Sequence, residues 1–81
     1  MGTENKIPTQ TTKEAFELAV SAYRCLRKAW EGISKAEDIS FGGKSSYCHD
    51  ITKALWRLDS VIFQLCTEFP DHFTFEFKED Y

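Results

Sequence analysis

The chain has 81 residues, of which 42% are hydrophobic and 28% charged, and its formal net charge is −3. A chain of this length forms one domain with a small core, so disulfides, a metal or self-association are worth considering as further sources of stability. The cysteine count is odd and no apolar signal segment is present, which favours a reducing compartment. No run approaches the roughly 18 apolar residues of a membrane-spanning helix. These features predict a cytoplasmic protein without a membrane partner.

Charge is unevenly distributed along the chain. Residues 1–57 carry nine Lys and Arg against seven Asp and Glu, whereas residues 58–81 carry one against six, a net charge of −5. A field of this sign steers the encounter with a basic partner and disfavours general affinity for nucleic acid. We therefore expect a basic protein, rather than nucleic acid, as the target.

Two regions differ in their patterning. Residues 1–10 lack hydrophobic periodicity and contain Pro8, so we predict a flexible N-terminal arm. Residues 11–81 show two stretches of helical periodicity and then a short alternating stretch. This order predicts a single, mainly α domain, an antiparallel two-helix hairpin with a short C-terminal β-strand.

The first helix is predicted to begin near Thr11 or Thr12, because Thr11 and Glu14 are spaced as in a capping box. Gly32 leaves two alternatives open, a kink or a break followed by a short second piece. Apolar residues recur in steps of three and four, which predicts the buried side: Phe16, Ala19, Tyr23, Leu26, Trp30 and Ile33.

Alanines recur at every seventh position beside this apolar stripe. Small side chains let a second helix approach closely, while larger neighbours fill the flanks. The pattern predicts a helical-bundle oligomer, in its simplest form a homodimer. The residues predicted for self-association are Ala15, Ala22, Ala29, Tyr23, Leu26 and Trp30.

Residues 39–43 interrupt the helical pattern, and Ser45 or Ser46 is predicted to cap a second helix. Pro70 is predicted to end it, because proline has no amide proton to continue the hydrogen-bond ladder. Its main apolar stripe consists of Tyr47, Ile51, Ala54, Leu55, Leu58, Val61, Ile62, Leu65 and Phe69.

Trp56 and Phe63 lie one heptad apart on a second side of this helix, away from the main stripe. Three covers for them remain open: the C-terminal strand, a second copy of the chain, or a target protein. Buried Trp and Phe typically dominate the energy of interfaces. We therefore predict a partner-binding site at Trp56 and Phe63, with Asp59 favouring a basic partner at its rim.

The segment after Pro70 changes to an alternating pattern, which predicts a half-buried strand over residues 72–78. A strand needs a neighbour for its backbone groups. Residues 39–41, a second copy and the target are the alternatives. The predicted partner-binding residues on this strand are Phe73, Phe75, Phe77 and Glu76.

Patterns for catalysis or metal binding are weak. Cys48 and His49 are adjacent on a helix, so they point about 100° apart and do not form a nucleophilic pair. Cys48 and Cys66 are separated by roughly 27 Å along an intact helix, which excludes a shared metal ion. We expect no enzymatic activity, no cofactor and three free thiols.

These expectations favour a non-enzymatic protein–protein interaction module. Small acidic domains without a chemical site are frequent among proteins that inhibit or sequester a larger, nucleic-acid-binding protein. Antitoxins, immunity proteins, and phage antirepressor or anti-defence proteins are examples, which suggests a phage or mobile-element setting. The alternative is an oligomeric helical binder of a small ligand or nucleic acid, with Arg24, Arg27 and Lys28 as its basic patch.

Overall fold

The computed structural model describes residues 6–75, and two helices, joined by residues 36–40, account for most of them. Helix α1 spans Gln10–Lys35 and helix α2 spans Phe41–Glu68. The helices pack against each other along the hairpin, which confirms the predicted mainly α hairpin. The radius of gyration is 16.1 Å, against about 12 Å for a compact chain of this length. The hairpin is therefore long and thin.

Helix α1 begins at Gln10, one or two residues earlier than predicted. The Thr9 hydroxyl accepts the backbone N–H of Thr12 at 3.1 Å and caps the helix. Glu14 does not close a capping box, because its carboxylate accepts a hydrogen bond from the Gln10 amide at 3.3 Å. The predicted cap at Thr11 or Thr12 is wrong, since both residues lie inside the helix and the Thr9 hydroxyl accepts one of the free amides of the first turn.

Helix α1 continues through Gly32 without a break and ends at Lys35. Of the two alternatives for Gly32, the break with a short second piece is therefore wrong. A Cβ added at Gly32 would meet nothing within 4 Å, so no close contact requires a glycine at this position. The helix ends where the Ala36 N–H bonds to the Ile33 carbonyl at 3.2 Å.

Helix α2 begins at Phe41, within residues 39–43, which were predicted to interrupt the helical pattern. The Ser40 hydroxyl accepts the Gly43 N–H at 3.0 Å, so Ser40 is the cap and the prediction of Ser45 or Ser46 is wrong. A Cβ at Gly43 would lie 3.0 Å from the Ser40 hydroxyl and 3.3 Å from the Ile39 side chain. Glycine is therefore suited to this first turn, where the cap approaches the backbone closely.

The end of α2 agrees with the prediction. Glu68 is the last helical residue, and the Phe69 N–H bonds to the Leu65 carbonyl at 2.9 Å. Pro70 follows directly and cannot continue the ladder.

The core lies at the open end of the hairpin. Among the described residues, its buried side chains are Phe16, Val20, Ile62 and Phe73. After α2 the chain reverses, because the backbone N–H groups of His72 and Phe73 both bond to the Phe69 carbonyl at 3.0 Å. The ring of Phe73 then stacks on Phe16, with centroids 4.3 Å apart, and meets Phe69 edge-on at 5.4 Å. The C-terminal segment thus completes a core that α1 and α2 share.

The predicted C-terminal strand is not formed in the part that the structure describes. Residues 73–75 have no strand assignment, and residues 76–78 lie outside the described range. Pairing with residues 39–41 is excluded, because Phe73 packs on Phe16, roughly 28 Å along α1 from the hairpin connection. The segment is held by its phenylalanine side chains rather than by a β-ladder.

Residues 6–9 contact the end of α2. The Lys6 ammonium pairs with the Glu68 carboxylate and lies 5.9 Å from the centroid of the Phe69 ring, and Pro8 is buried. An exposed ion pair of this kind contributes little, about 0–1 kcal/mol. Residues 1–5 of the predicted arm lie outside the described residues.

Replacing Phe73 by Ala is expected to lower the free energy of unfolding by about 3 kcal/mol, because it empties a core position between two rings. Thr74→Ala is the matched control, since Thr74 is the exposed neighbour and its loss costs about 0.5 kcal/mol or less. Urea denaturation measures both. Equal midpoints for the two variants would contradict a core role for Phe73.

Candidate functional site

The first candidate surface, which we call the aromatic face, consists of Trp56, Asp59 and Phe63 on α2. Trp56 is 66% exposed and Phe63 is 64% exposed, and the partly buried Asp59 lies between them, one turn from each. The two rings are seven residues apart, or about 10.5 Å along the helix. The two rings form an exposed apolar ridge along α2.

The C-terminal segment does not cover this ridge in the described part of the chain. Phe73 stacks on Phe16, and the Phe75 ring meets Tyr23 edge-on at 5.7 Å. Phe73 is only 6% exposed, so its ring is engaged in this chain's own core rather than available at the surface. The other predicted partner-binding residues of the strand, Glu76 and Phe77, lie outside the described residues.

The second candidate surface, the alanine face, lies on α1 and was predicted only in part. Its residues recur in steps of three and four: Ala15, Leu18, Ala22, Cys25, Ala29 and Gly32. All of them are exposed, Leu18 by 71%. Sequence reasoning identified the alanines but missed Leu18 and Cys25, although both follow the same heptad spacing. Of the other residues predicted for self-association, Tyr23 and Leu26 are partly buried and Trp30 is exposed.

The two faces lie on opposite broad sides of the hairpin. On α1, the Arg24 guanidinium lies 5.3 Å from the centroid of the Phe75 ring, which places the C-terminal segment on the side away from the alanine face. On α2, Tyr47 and Val61 point about 180° away from the aromatic face. Seen from one end of the hairpin, the chain winds clockwise along one antiparallel helix and anticlockwise along the other. With the helices packed against each other, this places Tyr47 and Val61 on the same side of the hairpin as the alanine face. The aromatic face shares the side of the C-terminal segment.

The predicted basic patch is partly engaged within the chain. Arg24 contacts the Phe75 ring, Arg27 is partly buried, and Lys28 is exposed. A guanidinium lying over an aromatic ring gains a cation–π interaction. Phosphate binding at this patch would have to compete with that contact.

The three cysteines are free thiols. Cys25 is exposed, whereas Cys48 and Cys66 are partly buried. The Cys48 thiol donates to the Trp30 carbonyl at a sulfur–oxygen distance of 3.8 Å. Burial raises the pKa of the Cys66 thiol, which lowers its reactivity at neutral pH. Among residues 6–75, no three His, Cys, Asp or Glu side chains are grouped closely enough to hold a metal ion.

The turn after α2 borders a shallow recess on α1. It is lined by Lys13, Phe16, Glu17, His72 and Phe73. Its lysine and glutamate are exposed, and the recess is open to solvent. Within the described range, neither helix is long and apolar enough to cross a membrane.

Compared with known protein families, curated proteins and solved structures, the chain shows no significant similarity to any of them. Function must therefore be inferred from the two exposed faces and the charge distribution.

Replacing all three cysteines by Ala is expected to preserve the helical content, the oligomeric state and partner binding. The physical reason is that none of the three forms a disulfide or belongs to a group of metal ligands in the described residues. Circular dichroism and sedimentation measure these properties, and a chelator should leave the melting temperature of the parent protein unchanged. Chelator-sensitive folding, or loss of binding on Cys48→Ala alone, would contradict this expectation.

Proposed function

We propose that the chain is a non-enzymatic protein–protein interaction module, a small acidic inhibitor that self-associates and sequesters a larger, basic, nucleic-acid-binding protein. The observation that carries the proposal is the exposure of Trp56 and Phe63 on one side of α2. Large exposed aromatic side chains reduce solubility, so a pair of them at helical spacing is typical of a surface that another molecule covers.

The aromatic face has the composition of an interface centre. Trp and Phe side chains that become buried between two proteins typically contribute about 2 kcal/mol or more each on truncation. Trp56 and Phe63 are presented by a continuous helix, so the target would receive them in a groove as paired anchors. Because both rings already project from the same side of α2, binding of the target would require no rearrangement of the hairpin.

The charge distribution supports a basic target. Asp59 lies between the two rings, and residues 58–81 carry a net charge of −5. Opposite charge on the target would accelerate encounter and orient it towards the aromatic face. Proteins that bind nucleic acid are basic on their binding surfaces, and covering such a surface inhibits them. Antitoxins, immunity proteins and phage anti-defence proteins act in this way.

The double variant Trp56→Ala with Phe63→Ala is expected to lose the target while keeping its fold, because both rings are mainly exposed in the hairpin. Affinity capture from the native cell identifies the bound protein, and calorimetry with that purified protein gives the loss of affinity. Two truncated anchors predict a loss of about 4 kcal/mol, roughly a thousandfold in Kd. Phe41→Ala is the matched control, since Phe41 is an 88% exposed aromatic at the start of α2, roughly 22 Å along the axis from Trp56 and outside both faces.

Three results would decide against this function. A fall in melting temperature of the double variant would place the rings in the fold rather than in the binding surface. A change in its mass would place them in the self-interface. Equal losses for the double variant and for Phe41→Ala would mean that aromatic content, rather than this face, determines capture.

A mobility-shift assay separates this function from the alternative. The alternative is direct binding of nucleic acid or a small ligand at Arg24, Arg27 and Lys28. We expect no mobility shift of generic DNA or RNA at moderate salt, because Arg24 is engaged with Phe75 and the chain is acidic. Binding driven by phosphate contacts would appear at low salt and weaken steeply as salt is raised. A shift that persists at moderate salt and is lost on Lys28→Ala would favour the alternative.

A further inference from the structure

We propose that two copies of the chain pair through their alanine faces, α1 against α1 of the second copy, in an antiparallel arrangement centred between Tyr23 and Arg24. The inference rests on the self-association in the proposed function and specifies its surface, direction and register. The alanine face is covered by a second copy of the chain. When the second α1 runs in the opposite direction, small side chains lie opposite large ones and acidic side chains lie opposite basic ones.

The sizes match layer by layer. A two-fold axis midway between residues 23 and 24 places Leu18 opposite Ala29 of the second copy. The same axis places Ala22 opposite Cys25, and Ala15 opposite Gly32. The largest side chain, Leu18, therefore always faces a small one. This alternation allows the two helix axes to approach at about 8 Å, the short end of the usual range.

The charges that flank the face specify its direction. Glu14 lies at the N-terminal end of α1 and Lys35 at its C-terminal end, both on the polar border of the alanine face. In the antiparallel register, Glu14 lies within about 3 Å along the axis of Lys35 of the second copy, and symmetry repeats the pair. In a parallel pair, the flank that carries Glu14 and Lys35 would face the opposite flank of the second copy, which carries the uncharged Ala19 and Leu26, so neither charge would find a partner. The ion pairs form only in the antiparallel arrangement, which is therefore favoured.

Other side chains on the same side of the hairpin extend the contact between the two α1 helices. Leu18, which is 71% exposed in the hairpin, becomes buried over Ala29 of the second copy. On α2, the partly exposed side chains of Tyr47 and Val61 lie on the same side as the alanine face and flank the paired α1 helices. The product is a four-helix assembly that covers the alanine face of each thin hairpin.

Charge reversal tests the direction and register. By sedimentation equilibrium, Glu14→Lys and Lys35→Glu are each expected to raise the dimer dissociation constant at least about fivefold, since each creates two like-charge contacts. The double variant Glu14→Lys with Lys35→Glu should return within about twofold of the parent, because opposite charges face each other again. Glu31→Lys is the matched control, since it makes the same charge change on the polar side of α1, away from this face, and should leave the constant unchanged.

Cross-linking and a steric variant test the surface independently. In this register Cys25 lies about 4.5 Å along the axis from Cys25 of the second copy, so a short bismaleimide should link the parent chains covalently. Cys25→Ala should abolish the covalent dimer although Cys48 and Cys66 remain. Leu18→Lys should give a monomer with an unchanged melt at low concentration, because Leu18 is exposed in the hairpin.

The outcomes separate this inference from the proposed function. A parent that is monomeric up to hundreds of micromolar would overturn the inference and the self-association together. A dimer in which the double reversal fails to restore affinity, or in which Cys25 is not linked, would overturn the antiparallel α1 contact and leave self-association intact. A Leu18→Lys monomer that still captures the target supports the alanine face as a self-interface distinct from the aromatic face.

Discussion

The stacking of Phe73 on Phe16 is the contact on which the rest of the structure depends. A hairpin of two helices can bury only one line of side chains on each helix, and such a pair is marginal in a chain of 81 residues. The return of the chain after Pro70 adds a third layer at the open end of the hairpin, where it surrounds the fully buried Ile62 with aromatic rings. That layer lies over α1 and the C-terminal end of α2, and it leaves Trp56 and Phe63 of α2 exposed.

This placement explains why both helices remain apolar on a second side. Each helix has an apolar arc wider than one neighbour can cover, and the C-terminal segment occupies the polar border of α1 next to Arg24. The uncovered parts, the alanine face and the aromatic face, differ in character. Small residues suit the close approach of another helix, whereas Trp56 and Phe63 suit insertion into a groove. One chain thus presents two kinds of exposed apolar surface on opposite sides.

The helical periodicity was sufficient to predict the hairpin, since repeated apolar residues and Pro70 mark the helices and the end of α2. The helix starts were not predictable in the same way. Several hydroxyl residues precede each helix, and the choice of Thr9 and Ser40 depends on three-dimensional hydrogen bonds that spacing alone does not reveal. The alternating phenylalanines were interpreted as a strand, but alternation also suits an extended segment whose rings insert between two helices, as Phe73 does. The aromatic face followed from the heptad spacing. Leu18 and Cys25 share the spacing of the alanines, but only the folded hairpin shows that Leu18 is 71% exposed beside them.

The opposition of the two faces has a consequence for stoichiometry. In the dimer proposed above, the two aromatic ridges would point outward in opposite directions, so both could not bind adjacent sites on one flat target. Each dimer would instead bridge two target molecules. For a monomeric target the result would be a closed complex of two copies of the chain and two targets. For a target that is itself a dimer, alternating bridges give an open chain, because the contacts propagate without closing. Such cross-linking would remove the target from solution by assembly, with an avidity that depends on the concentrations of both proteins.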